Sequence, residues 1–176
     1  MLEQLKNRRS CRKFDKDRTI EEEKINQVIN AGLYASNGMG YQNGIIVAIE
    51  NKKIRDKISD LNRRIGGWKE GMDPFYGAPI ILLVAVKKWP NAIYDGSTMI
   101  ENMMIEATNQ GLGSCWIHRA KEELESPEGK EILSSLNLNL DEYEGVGHVA
   151  LGYSLIANYP EKKIKAVRLH HEKNNR

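Results

Sequence analysis

The sequence predicts an α/β or α+β domain in which helices are interleaved with a few buried strands. Three observations carry this expectation. Ile80 to Val86 is an unbroken apolar run, the pattern of a strand covered on both faces. Ile45 to Ile49 and Val146 to Leu151 are two more strand-like runs, the second with His148 in its middle. Met99, Ile100, Met103, Met104 and Ala107 recur at three- and four-residue steps, which puts them on one face of a helix.

In chain order, Met1 to Asn7 reads as a short helix with Leu2 and Leu5 turned inward. Thr19-Ile20-Glu21-Glu22 has the form of a capping box. The helix it opens is expected to bury Ile25, Val28, Ile29 and Leu33 and to run to about Ala35. Ser36 to Gly44 is a polar, glycine-containing loop, followed by the Ile45–Ile49 strand. Ile54, Ile58 and Leu61 mark the next helix. Arg63 to Pro79 has no period and holds Trp68, Phe75 and Tyr76. Such a loop is either a binding wall or a surface loop whose aromatics tuck onto the core.

Asp95 and Ser97 offer caps for the central helix, Ile105 widens its apolar face, and Gln110-Gly111 supplies its end. Leu112 to Ile117 then forms a glycine-bearing turn into a short strand, where main chain can approach a flat or charged ligand. Lys121 to Glu125 is a single helical turn. Ser126-Pro127-Glu128 caps a helix burying Ile132, Leu133 and Leu136.

A chain of 176 residues fits one domain, and 40% hydrophobic with 28% charged residues is ordinary for a globular protein. A net charge of +2 argues against nucleic acid or an anionic membrane as a bulk partner. The two cysteines, Cys11 and Cys115, have neither metal-ligand spacing nor the look of a disulfide framework. No secretory leader is apparent, and Ala78 to Val86 is far shorter than a membrane span, so a cytoplasmic location is expected.

The densest chemical signal is Arg8, Arg9 and Arg12 around Ser10. Guanidinium forks pair with phosphate oxygens and a hydroxyl adds a donor. In a helical turn Arg8 and Arg12 would share one face. The competing reading is a solvated charge cluster. The amides of the Ser36–Asn43 loop can donate and accept toward a heterocycle edge, and Lys163, Lys165 and Arg168 offer further cations. The histidines form no helix-spaced pair with a carboxylate, so no metal is expected. A nucleophile elbow, a P-loop and the three-glycine dinucleotide fingerprint are all missing.

Taken in order, Arg8 to Phe14, Ala35 to Gln42, Tyr76-Gly77-Ala78-Pro79, Asp95-Gly96 and Leu112 to Ile117, with Pro160, Lys163, Lys165 and Arg168 near the end, resemble the nitroreductase family of FMN-dependent oxidoreductases in its short single-domain form. The resemblance implies an α+β fold over residues 1–176, a central mostly antiparallel sheet flanked by helices, working as an intertwined homodimer with FMN at the interface. It implies that Arg8, Arg9, Ser10 and Arg12 hold the phosphate, ribityl chain and pyrimidine edge. Asn37, Gly38 and Gln42 would reach the flavin from the partner subunit. Cys115, Trp116 and Ile117 would lie along the ring, Lys165 and Arg168 would return to the phosphate, and Asn62 would touch the pyrimidine.

A cation such as Arg12 at that edge would raise the flavin's reduction potential. No catalytic acid or base is needed, because the cofactor supplies the redox chemistry. The implied reaction is ping-pong hydride transfer from NADH or NADPH to a nitroaromatic, quinone or similar small electron-poor acceptor, in a site walled by Trp68, Phe75 and Tyr76. The rivals are a flavoenzyme acting on enones or halogenated aromatics, a flavin-binding protein without turnover, and an RNA or protein contact through the basic cluster.

Overall fold

The computed structural model describes residues 1–163, so Lys165 and Arg168 lie outside the described residues. Four strands, β1 (Gly44–Ile49), β2 (Ile80–Lys87), β3 (Gly113–Ile117) and β4 (Tyr143–Gly152), form one sheet in the order β1-β2-β4-β3. Every neighbouring pair is antiparallel. The helices are α1 (Glu3–Asn7), α2 (Glu22–Leu33), α3 (Lys52–Ile65), α4 (Ala92–Asn109), α5 (Ala120–Glu125) and α6 (Pro127–Ile132). An antiparallel sheet flanked by helices makes this an α+β fold.

The apolar run of β2 is explained by what covers it. Successive strand residues face opposite sides, so Ile81, Leu83 and Ala85 enter one core with Ile58 and Leu61 of α3 and Leu124 of α5. Ile80, Leu82 and Val84 enter a second core with Val28 of α2 and Ile100 and Met103 of α4. Each fully buried Leu or Ile contributes about 1.5–3 kcal/mol, and neither face of β2 is left for a polar residue. In α4, Met99, Ile100, Met103, Met104 and Ala107 are all buried, as their spacing predicts. Ser126 caps α6, accepting from the Gly129 N–H at 2.9 Å, with Pro127 in the first turn.

Several local expectations are corrected. Thr19 does not cap α2: the cap position is Glu21, and its carboxylate accepts instead from the Tyr153 hydroxyl at 2.5 Å. That hydrogen bond holds Glu21 below its usual pKa. Leu33 is exposed because α2 meets α4 through Gly32, where an added Cβ would lie 2.8 Å from both Ile46 and Met103 side-chain atoms. Leu2 and Leu5 are exposed too, and α1 buries nothing. Asp95 does not cap α4, which begins three residues earlier; it is buried, and its Oδ1 accepts from the Gly38 N–H at 2.8 Å. Ser97 bonds back to the Ile93 carbonyl at 2.6 Å.

The irregular segment before β2 is nailed to α3 by Asp73. Its Oδ1 accepts from Ser59 Oγ at 2.7 Å and the Phe75 N–H at 2.9 Å, and its Oδ2 from the Gly77 N–H at 2.7 Å and Arg55 at 2.5 Å. Burial alone would raise this carboxyl, but Arg55 and Ser59 together hold it below its usual value. Asp73→Asn removes the charge and turns one acceptor into a donor facing donors. It should cost about 2–4 kcal/mol at pH 7, read as a lower urea midpoint. A depressed carboxylate contributes fully above its unfolded pKa of about 3.9 and loses that contribution as pH falls through the lower folded value. The gap between Asp73→Asn and the parent should therefore close on acidification; a constant gap would mean that the charge is not its source.

Candidate functional site

Arg8 to Phe14 is not a helical turn. The segment runs extended along the outer edge of β3, with a parallel bridge between Ser10 and Ser114 and a 2.8 Å hydrogen bond from the Cys11 N–H to the Ser114 carbonyl. It is held further on by Asp15 N–H to the Tyr153 carbonyl at 2.8 Å and by Leu155 N–H to the Lys13 carbonyl at 3.0 Å. Cys11 is buried. With a two-residue period, Arg8, Ser10 and Arg12 come to one side, so the pairing predicted for a helix arises from a strand-like segment.

These residues line a hollow of about 420 Å³ with Arg9, Tyr159 and Lys162. Arg9 is a brace, donating to the carbonyls of Lys6, Arg8 and Pro160 and tying the amino-terminal segment to the chain after β4. Arg8 has a loose partner in Glu101, Nε to Oε1 3.6 Å. Among the described residues Arg12 and Lys162 have no ion pair. The hollow is therefore electropositive and open to an anion. Tyr159 and Lys162 were not singled out from the sequence; the only signal was their place in a basic carboxy-terminal stretch.

β3 runs from this hollow to a second one. Burial raises the Cys115 thiol above its usual pKa, while Arg12 and Arg8 nearby oppose that shift. Cys115 and Ile117 are buried in the first core, so what they offer is main chain. Trp116 faces the other side and lines a hollow of about 550 Å³ with Ile93, His118, Arg119, Lys121 and Val146. Its ring stacks on His118 at 5.8 Å and 25°. Ser114 Oγ and Trp116 Nε1 are buried without a partner.

Asn37, Gly38 and Gln42 share one loop, and none of the three lines either hollow. Asn37 Oδ1 accepts from the Gln42 N–H at 3.0 Å, which stabilises the left-handed Gln42 at φ 49°. Gly38 is pinned by Asp95 and leaves room for Trp89, whose ring would be 2.3 Å from an added Cβ. Tyr41 meets the same Trp89 edge-on at 5.3 Å.

Two expected contacts are corrected. Asn62 is fully buried on α3, where its Nδ2 donates to the His118 carbonyl at 2.8 Å and to Glu123. Glu123 Oε2 in turn lies 3.0 Å from His148 Nε2, off the line of a good hydrogen bond. With no exposed surface, the Asn62 amide is turned into the interior toward α5, where its Nδ2 is used twice and its Oδ1 has no partner. Phe75 is also fully buried, edge-on to His148 at 5.3 Å, so it is core and not wall. Tyr76 packs partly buried against the same core. Trp68 is half-buried and lines neither hollow itself; it lies beneath the guanidinium of Arg119, 4.5 Å from the ring centroid, and Arg119 borders the second hollow. Among the described residues no three His, Cys, Asp or Glu converge as metal ligands, and no helix is long and apolar enough to cross a membrane.

The chain matches the sequence model of the Nitroreductase family over residues 5–153. No curated protein matches it significantly. Among solved structures it is similar to a nitroreductase with bound FMN from Bacteroides fragilis NCTC 9343, with 30% identity, 97% of each chain covered and a TM-score of 0.85. A nitroreductase family protein from Clostridium difficile 630 is 26% identical, covering 91% of this chain and 86% of that one, with a TM-score of 0.68. A nitroreductase with bound FMN from Desulfitobacterium hafniense DCB-2 shares the fold at 18% identity, with 97% of each chain covered and a TM-score of 0.76.

The buried placement of Asn62 has a consequence for stability. Asn62→Ala leaves Glu123 without its donor and is expected to cost about 1–3 kcal/mol in urea unfolding. A parent-like midpoint would show that the Asn62–Glu123 contact carries no weight in the folded state.

Proposed function

Because the chain belongs to the nitroreductase family, we propose that it is an FMN-dependent oxidoreductase, passing hydride from NADH or NADPH to nitroaromatic, quinone or similar electron-poor acceptors. One observation carries the reading: β3 connects an electropositive hollow at Arg8, Ser10 and Arg12 to an aromatic-lined one at Trp116 and His118. From Ser114 to His118 that strand spans about 13 Å, on the scale of a cofactor with a phosphate at one end and a planar ring at the other.

The residues present fit FMN. Arg8, Arg12 and the Ser10 hydroxyl suit a phosphomonoester and its sugar chain, with Arg9 as the brace that shapes the hollow. The unpartnered Ser114 Oγ and Trp116 Nε1 lie along the same strand. The B. fragilis nitroreductase, with FMN bound, supports the same assignment. FMN, when bound, accepts hydride from the nicotinamide and hands electrons to the acceptor.

The chain's own part is to bind, orient and exclude water. Main-chain groups of Cys115, Trp116 and Ile117 would flank the ring, and Arg12 would favour negative charge at its pyrimidine edge. No side chain needs to give or take a proton. Donor and acceptor take turns in the hollow beside Trp116, which makes turnover ping-pong. We place Asn37, Gly38 and Gln42 at the flavin of a second copy of the chain. Their absence from the lining of both hollows within one copy supports this, as do the exposed side chains of Tyr34, Met39, Tyr41 and Tyr94 around the same loop. A role for Lys165 and Arg168 at the phosphate, and the reading of the whole chain as one domain, belong to the same proposal.

Purified protein supplied with FMN should show a flavin spectrum that NADH or NADPH bleaches without oxygen and a nitroaromatic restores. A colourless protein sinks the proposal; bound flavin that neither donor bleaches favours binding without turnover. Arg12→Ala should weaken FMN binding roughly 10- to 100-fold in a fluorescence titration, the loss of a charge-assisted hydrogen bond.

A further inference from the structure

The sequence places two cationic side chains, Arg119 and Lys121, just after β3, and the structure treats them differently. Lys121 Nζ pairs with Glu144 at 3.0 Å. Arg119 pairs with nothing among the described residues, although the arginines nearest in the fold are all matched: Arg63 and Arg64 with Asp60, Arg64 also with Glu128, and Arg55 with Asp73. Its guanidinium instead lies over the Trp68 ring, 4.5 Å from the centroid. Stacking uses the flat face of the guanidinium and leaves the N–H donors on its edge free to grip a carboxylate two-pronged.

The position is built for that orientation. Arg119 sits in the left-handed region at φ 81°, where most side chains are strained by about 1–2 kcal/mol. Gly66 makes room beneath it: an added Cβ there would lie 3.0 Å from Arg119 Nε and 3.1 Å from Cζ. Arg119 borders the hollow whose flat wall is the Trp116–His118 stack. Two carboxylates border the same hollow: Glu144 is matched by Lys121, and Glu122 is exposed and screened by water.

We propose that Arg119 makes this site selective for planar ligands that carry an anionic group: the ring lies against Trp116 and His118 while the anion meets the guanidinium held by Trp68. The inference rests on the functional reading above and adds the class of substrate to it. Two sources supply this chemistry, an aromatic carboxylate as electron acceptor and the phosphate on the adenosine of NADPH, and the test separates them.

The test compares the parent with Arg119→Gln and Arg119→Lys, using 4-nitrobenzoate against neutral 4-nitrobenzyl alcohol and NADPH against NADH. Binding of the two nitro compounds is followed by tryptophan fluorescence quenching, which needs no turnover, and kcat/KM is then measured on the FMN-loaded protein. The parent should prefer 4-nitrobenzoate. Arg119→Gln should lose about 10-fold on it in both readouts while the alcohol is unchanged, and Arg119→Lys should recover part of the loss. A loss confined to NADPH supports the anion site and assigns it to the donor's phosphate. Equal losses on charged and neutral partners, or no loss on either anion, overturn the proposal. If the protein takes up no FMN, the functional reading fails, whereas the quenching comparison still decides for or against Arg119.

Discussion

The site depends on the main-chain pairing that lays the Arg8–Phe14 segment along the outer edge of β3. A parallel bridge at Ser10 and Ser114 sets the register, and the Cys11 N–H to Ser114 carbonyl bond closes it. Close approach is possible because position 113 carries no side chain: a Cβ on Gly113 would fall 2.9 Å from Cys11 Cβ. Cys11 then packs into the core and the alternate residues Arg8, Ser10 and Arg12 turn outward together. A backbone interaction thus decides where three polar side chains meet, without any of them bonding to another.

The sheet gives that edge its rigidity. β4 lies between β2 and β3, and both of its faces are covered, so β3 is held by an element that has no freedom to shift. A polar cluster crosses the same region, with Asn62 of α3, Glu123 of α5 and His148 of β4 meeting in the interior. Buried polar groups are costly unless partnered: the Asn62 Nδ2 bond to Glu123 ties α3 to α5, whereas His148 lies beside Glu123 with neither ring nitrogen hydrogen-bonded. Depth alone makes Asn62 an internal strut.

Charge is divided in a consistent way. The arginines of α3, Arg55, Arg63 and Arg64, are matched by carboxylates, and Asp73 gathers four donors to hold the loop before β2 in place. Cations along the β3 edge are not matched to the same degree among the described residues: Arg12 and Lys162 at one hollow, Arg119 at the other. Unmatched cations in neighbouring concavities focus field toward anionic ligands. The loop holding Asn37, Gly38 and Gln42 follows a different logic, since Asp95 and Trp89 fasten it to the start of α4 and leave its apolar side chains outward.

What the amino-acid order determined by itself was whatever has a short period or a local partner: the doubly covered β2, the buried face of α4, the Ser126–Pro127 start of α6, and the basic cluster as a set of residue types. Those features are legible because the residues responsible are within a turn or a strand of one another. Depth and register were decided only in three dimensions. Asn62 and Phe75 carry no local mark that separates an interior residue from a lining one. Asp95 has the residue type of a cap, but α4 starts three residues before it, at Ala92. Arg8 and Arg12 share a side through strand alternation and not through a helical turn, because a partner 104 positions away along the chain, Ser114 for Ser10, supplies the hydrogen bonding that fixes the backbone. Long-range pairing of this kind leaves no period in the sequence, so only the folded chain contains it.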